Sequence, residues 1–283
     1  MAARSSLSAC IVLVAACLVD IPDPPGQSAQ GSGGSSATTT ASNAGGATSS
    51  TTASAGGGPS GYREAVLADN PVGYWRLNET NFPDVFDTSG NNLNGVYVNN
   101  VDLEVTGALA NDSDPAVKFD GASWADLGDV LPFDMKAKFT LEAWILPDAA
   151  DPDGGILGKA VYDMSMGGYA GYLWVVINGK LRLHRSAWGV GDGNDTMASV
   201  STAAFTHIVT TYDGITIRHY LNGAMENASA GDAVIPVIPD PLLIGRVEGW
   251  GNFKGVIDEV AIYDVVLPEA RIQAHYEIGA GLR

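Results

Sequence analysis

The sequence predicts an all-β chain, a two-sheet antiparallel sandwich with short terminal helices. Three observations carry this. Short runs rich in β-branched and aromatic residues alternate in period two, most cleanly Phe139–Leu146, FTLEAWIL. Two-residue turn signals recur, at Asn178-Gly179, Asp213-Gly214 and Asn222-Gly223. Helical patterning is confined to two short stretches, Tyr62–Ala68 and the run after Pro268. Serial hairpins with hardly any helix make an antiparallel sandwich rather than a parallel sheet.

The chain divides by composition into residues 1–17, 18–61 and 62–283. Residues 1–17 open with Arg4, followed by an apolar stretch over Leu7–Ala16. That is the pattern of an export signal. Val14-Ala15-Ala16-Cys17 resembles a bacterial lipobox, in which Cys17 becomes the lipidated N-terminus. Leu7–Cys10 also fits, but no apolar run precedes it. An ordinary signal peptide that happens to contain cysteine is the alternative. The lipoprotein resemblance implies a lipid-anchored, exported protein of the bacterial cell envelope.

Between Gly26 and Gly61 there is no charge and no large apolar side chain. Such a stretch cannot offset its chain entropy by burial, so a disordered tether is expected over residues 18–61. Only Arg4, Asp20 and Asp23 are charged before Tyr62, so nearly all of the net charge of −17 belongs to residues 62–283. That charge repels nucleic acid and anionic membranes. Cys10 and Cys17 are the two cysteines, so residues 62–283 must fold without a disulfide. No run is long enough to span a membrane, which leaves the lipid anchor as the expected membrane contact.

From Tyr62 the elements follow in order. Tyr62–Ala68 is an amphipathic helix and Tyr74–Leu77 the first strand. Asp87–Gly95 is a dense cluster of turn formers and oxygen-bearing side chains, followed by a strand at Gly95–Asn99. Ala116–Gly121 is a strand and turn, and Phe139–Leu146 is the strongest strand. Tyr172–Ser186 and Phe205–Leu221 are hairpins, and Leu242–Gly245 precedes the last strand. That last strand, Val256–Tyr263, is largely apolar in both parities and so is interior. Asp258 shares parity with Val256, Val260 and Ile262, which places a carboxylate on an apolar face. Pro268 then opens a helix in which Ile272 and Tyr276 share a face, and Gly279 is the expected stop.

The closing run KGVIDEVAIYDVVLPEARIQAHYEIG resembles the end of the laminin-G-like, concanavalin A-like lectin/glucanase jelly rolls. FTLEAWILP, FTHIVTTYDG with HYLNG, LLIGR and VKFDG carry the same resemblance, over roughly Tyr62–Gly279. It implies a concanavalin A-like jelly roll. Phe205 stands where the family usually has Trp, which keeps an aromatic plug. Related domains often hold a structural Ca²⁺, which the resemblance transfers to Asp87, Asn91, Asn94 and Asp258. The alternative is a plain turn, with Asp258 paired to an Arg or Lys. Gly191–Thr196 is a second, weaker loop of the same composition.

Glucanases of this fold resemble one another in an E-x-D-x-E or E-x-D-x-x-E strand, which is missing here. Asp258 and Glu259, as neighbours in a strand, are expected on opposite faces, and Glu142 stands alone in its strand. His207 sits in a core strand motif and is expected to be a packed imidazole. The expectation is therefore a non-catalytic module that binds a glycan or a surface protein. A hydrolase or lyase with another site, or a purely adhesive module, are the alternatives. Sugars are gripped by aromatic faces, and the loop aromatics Trp188, Trp250 and Tyr169 are the candidates.

Overall fold

The structure is a computed structural model that describes residues 61–131 and 138–283. The expected signal, Cys17 and nearly all of the tether lie outside the described residues. The first helix is α1 (Tyr62–Ala68), and the first strands are β1 (Gly73–Trp75), β2 (Asp84–Val85), β3 (Gly95–Val98), β4 (Asp102–Val105), β5 (Ala116–Asp120) and β6 (Trp124–Asp126). The middle of the chain forms β7 (Phe139–Pro147), β8 (Gly154–Asp163), β9 (Gly168–Ile177), β10 (Lys180–Ala187), β11 (Val190–Asp195) and β12 (Thr206–Tyr212). It closes with β13 (Thr216–Leu221), β14 (Ala224–Ala230), β15 (Leu243–Ile244), β16 (Arg246–Val247), β17 (Gly251–Asn252), β18 (Lys254–Tyr263) and α2 (Glu269–Gly279).

Two sheets result. The first runs β14-β13-β12-β7-β18-β5-β4, with β1 also on β18, and the second runs β11-β10-β9-β8-β15-β6-β3-β2. Every pairing is antiparallel except the short parallel contact of β17 with β8. The alternation of β7 decides its two faces. Phe139, Leu141, Ala143 and Ile145 enter the intersheet core, together with Trp75, Phe119, Trp174 and Ile257. Trp144 faces the other way, into a second cluster that α1 and α2 cover with Tyr62, Val66 and Ile272. Phe205 packs against this cluster as the aromatic plug.

Gly279 ends α2 for a different reason than its backbone freedom. It is the last helical residue, and a Cβ there would lie 2.5 Å from the Trp144 ring. The helix approaches the sheet closely at this point, and the left-handed residue comes later, at Gly281 (φ 68°).

The last strand departs from simple alternation. Its pairing with β7 shifts register between Asp258 and Ala261, and Glu259 takes φ 54°. This is a β-bulge, with one extra residue on β18. Val260 and Ile262 therefore join Ile257 in the intersheet core, and Ala261 and Tyr263 turn to the helices. Asp258 is not on the apolar intersheet face, and the expected opposition of Asp258 and Glu259 fails for the same reason. Both lie beside Arg76. Arg76 pairs with Glu259 (2.7 Å), Asp112 (2.9 Å) and Asp114, and the Tyr74 hydroxyl also donates to Glu259. Burial pushes Glu259 up to about 7 against the pull of Arg76. Burial and the Glu259 charge push Asp258 well above its usual range.

Glu142 is another buried carboxylate, with no exposed surface. Tyr62 Oη (2.9 Å), Tyr263 Oη (2.8 Å), His207 Nε2 (2.8 Å) and His275 Nδ1 (3.0 Å) all donate to it. His275 Nε2 faces Asp69 at 3.0 Å, and Arg271 braces that carboxylate at 2.8 Å. His207 is thus the packed, hydrogen-bonded imidazole the motif suggested. Burial alone would lower the His275 pKa, but Glu142 and Asp69 raise it to about 9. Burial would raise Glu142, yet His275 and His207 hold it well below the carboxylate range.

Two outcomes follow. Glu142→Leu leaves four donors, the buried His275 imidazolium among them, without this acceptor, and is expected to cost about 3–5 kcal/mol in urea unfolding. The folded pKa of His275 lies above its unfolded value, so its contribution is complete below about 6.5 and is lost as pH rises through about 9. The urea midpoint should fall between pH 7 and pH 9.5, and His275→Gln should flatten that fall.

Candidate functional site: an aromatic row on the second sheet

The outward face of the second sheet carries the site. Along β9, Tyr172, Trp174 and Val176 point into the core, so Leu173, Val175 and Ile177 point out. The segment from β16 to β17 folds back over this face. It lies on β8 where that strand is glycine-rich, and a Cβ on Gly158 would meet Val247 Cγ2 at 2.7 Å. Val247 and Trp250 cover Leu173, Val175 and Ala160. The Tyr169 hydroxyl donates to Gly249 O at 2.8 Å and pins the segment.

The segment brings a row of rings together. Tyr162 and Tyr169 have centroids 4.7 Å apart, Tyr169 and Trp250 6.2 Å, and Trp250 and His184 6.5 Å. Tyr162 is 41 % exposed, and Trp250 is half-buried. Burial, then Tyr162 and Glu248, raise the Tyr169 pKa, so the phenol keeps its proton as a donor. Burial and Arg182 lower the pKa of His184, which leaves it neutral at pH 7. Beyond Trp250 a groove of ≈ 380 Å³ continues, lined by Asp151, Asp153, Val175, Ile177 and Asn252. Two of the three expected aromatics thus meet. Trp188 occupies the β10–β11 turn at φ 54°, and its indole makes none of these ring contacts. Tyr162 and His184 enter the row through pairing: Tyr162 lies opposite Tyr169, and His184 opposite Leu173.

The expected calcium ligands do not form one donor set. Asp87 accepts from Tyr74 N (3.1 Å), Ser89 N (2.9 Å), Ser89 Oγ (2.8 Å) and Leu93 N (3.0 Å). Asn94 Oδ1 accepts from Asp87 N, and Asn91 Nδ2 donates to Val72 O. Asp258 instead accepts from Ala108 N at 2.7 Å. The loop is a turn in which the oxygens of Asp87 and Asn94 accept from backbone N–H groups and the Ser89 hydroxyl, and no group of three or more acidic, His or Cys side chains suited to a metal occurs among the described residues. These residues do not fit a calcium ion.

Gly191–Thr196 is not a loop either. It contains β11, and Asp192 faces the intersheet core. There it accepts from Arg185 Nη1 (3.2 Å) and Ala233 N (2.7 Å). Arg185 is fully buried, with its guanidinium carbon 3.7 Å from the Tyr212 ring centroid.

Residues 119–273 match the profile of the concanavalin A-like lectin/glucanases superfamily, and the chain belongs to that family. No curated protein sequence matches the chain. Among solved structures it is similar to the binding domain of Paraclostridial Mosquitocidal Protein 1 (16 % identity, TM-score 0.55, 75 % of this chain and 52 % of that one). It is also similar to domain 4 of an extracellular arabinanase from Geobacillus stearothermophilus, solved with arabinotriose (18 %, TM-score 0.53, 73 % and 98 %). A third is the binding domain of botulinum neurotoxin serotype D/C (14 %, TM-score 0.52, 75 % and 52 %). The chain spans about half the length of the two toxin domains, and the likeness at these identities is one of fold.

Two substitutions separate structural from metal roles. Asp87→Ala should lower the melting temperature by the same amount in millimolar calcium and in EGTA. Asp192→Ala strands the buried Arg185 guanidinium and should cost about 3–5 kcal/mol in urea unfolding.

Proposed function

We propose that the chain is a non-catalytic, lipid-anchored protein of the bacterial envelope whose sandwich binds carbohydrate through the Tyr162–Tyr169–Trp250 face. The observation that carries the reading is the ring row itself, half-open on an outward sheet face and next to a polar-rimmed groove. Pyranose and furanose C–H faces stack on such rings while the rim supplies hydrogen bonds. The similar arabinanase domain, solved with arabinotriose, supports the reading at the level of the fold. Catalysis is disfavoured because the buried carboxylates are already engaged. Glu142 accepts from four side chains, and Glu259 from Arg76 and Tyr74, so neither is free to act on a glycosidic bond.

The anchor is tested by Cys17→Ser, which should move the protein from the membrane fraction to the soluble one. Retention in the membrane fraction would overturn it. The soluble Cys17→Ser protein should then bind on a glycan array, and Trp250→Ala should reduce the signal by about fivefold or more, the worth of about 1 kcal/mol per ring. A silent array, or equal binding by Trp250→Ala, would remove the carbohydrate reading from this face.

A further inference from the structure

The ring row and the groove lie on one line. The outward residues of β9 run from Ile177 and Val175, which floor the groove, through Leu173 under the Trp250 cluster, to Tyr169. At strand rise these eight steps span about 26 Å. Tyr162, directly opposite Tyr169 on the neighbouring strand, widens the row at that end. At that end the track runs out onto the β8–β9 turn, where Met164 and Met166 are 78 % and 52 % exposed. A terminal sugar is gripped by a closed pocket that buries most of its surface. Where the β16–β17 segment covers Leu173 and Val175, Trp250 carries the surface from the groove to Tyr169, and a track of this length matches a ligand that is itself extended.

Charge narrows the ligand further. Asp151 and Asp153 rim the groove, and both Asp153 oxygens accept backbone N–H groups, from Asn178 (2.8 Å) and Gly179 (2.9 Å). The cations near the track are largely committed: Arg182 pairs with Asp195, and Arg246 with Glu248. Lys180 lies opposite Ile177 in the β9–β10 pairing, on the strand next to the groove floor. With a net charge of −17 on the chain, a polyanion gains nothing on approach.

We infer that the site takes an internal stretch of a neutral, linear polysaccharide laid along the direction of β9 over several sugar units, with Tyr162, beside Tyr169, as a stacking surface at the end away from the groove. This rests on the carbohydrate reading above and adds the length, the direction and the charge of the ligand. The test is calorimetric titration of the Cys17→Ser protein with linear arabino-, xylo- and gluco-oligosaccharides of one to six units, and with oligogalacturonates as the charged series. In a neutral series that binds, affinity should rise at least tenfold from the disaccharide to the pentasaccharide. Tyr162→Ala, an exposed position whose loss should leave the melting temperature unchanged, should remove about fivefold for the longer chains and nothing for the disaccharide. Trp250→Ala should weaken every length.

Affinity already complete at the mono- or disaccharide would overturn the extended ligand while leaving the carbohydrate reading in place. Tighter binding of the oligogalacturonates would overturn its neutrality. Loss of affinity for the disaccharide with Tyr162→Ala would overturn the assigned direction. No binding in any series would overturn the inference together with the reading beneath it.

Discussion

A carboxylate without access to water is costly unless its lone pairs are engaged, and the Glu142 site is built around that requirement. The residue stands on β7, the middle of the first sheet, and its four donors come from α1, β12, β18 and α2. Elements more than a hundred residues apart in the chain are therefore fixed to one pair of oxygens. His275 is held between two carboxylates, which makes the imidazolium a counter-ion as well as a donor. The apolar cluster around it, with Tyr62, Val66, Trp144 and Ile272, excludes water and makes each of those bonds stronger. Directional polar bonds thus set where the helices dock, and the apolar contacts around them supply area.

The edges of the sandwich are secured by similar means. β11 and β14 are the end strands of the two sheets, and they face each other. Side chains of the first sheet cap carbonyls of β11: His219 Nε2 lies 2.9 Å from Asn194 O, and Asn227 Nδ2 2.8 Å from Asp195 O. Burial lowers the pKa of His219 to about 4, so the ring is neutral and donates through Nε2 while Nδ1 accepts from Thr210 Oγ1. An edge whose acceptors are already taken is a poor template for another chain's strand.

Much of this fold was legible in the sequence. Both helices, the Phe139 strand and the hairpins at Asn178-Gly179 and Asp213-Gly214 stand where period and turn chemistry put them. What period two cannot carry is an insertion of one residue. The bulge at Asp258–Glu259 switches every later side chain to the other face, so the parity assigned to Asp258 failed although the strand was right. Composition misled at Gly191–Asp195, where Gly and Asn suggest a loop but form an edge strand whose polar residues face Arg185. For the candidate site, Tyr169 and Trp250 could be singled out as aromatics in loop-like sequence. Their meeting depends on the β16–β17 segment folding onto β8. Only the glycines at 154, 155 and 158 hinted at this, because another backbone must come close there. The Asp87–Gly95 loop reads as oxygen-rich for the same reason that turns are, and the sequence does not reveal that its own N–H and hydroxyl donors occupy the Asp87 carboxylate.

The helices that cover the first sheet also decide how the domain is held. The polypeptide joins the sandwich at Tyr62, in the cluster on the outer face of the first sheet, and the ring row lies on the outer face of the second. Two layers, packed about 10 Å apart, stand between the handle and the reading face. The C-terminal helix docks beside α1 on the same side, so both ends of the folded chain leave from the back of the domain. The aromatic face therefore lies opposite both described ends of the domain and is left clear of them.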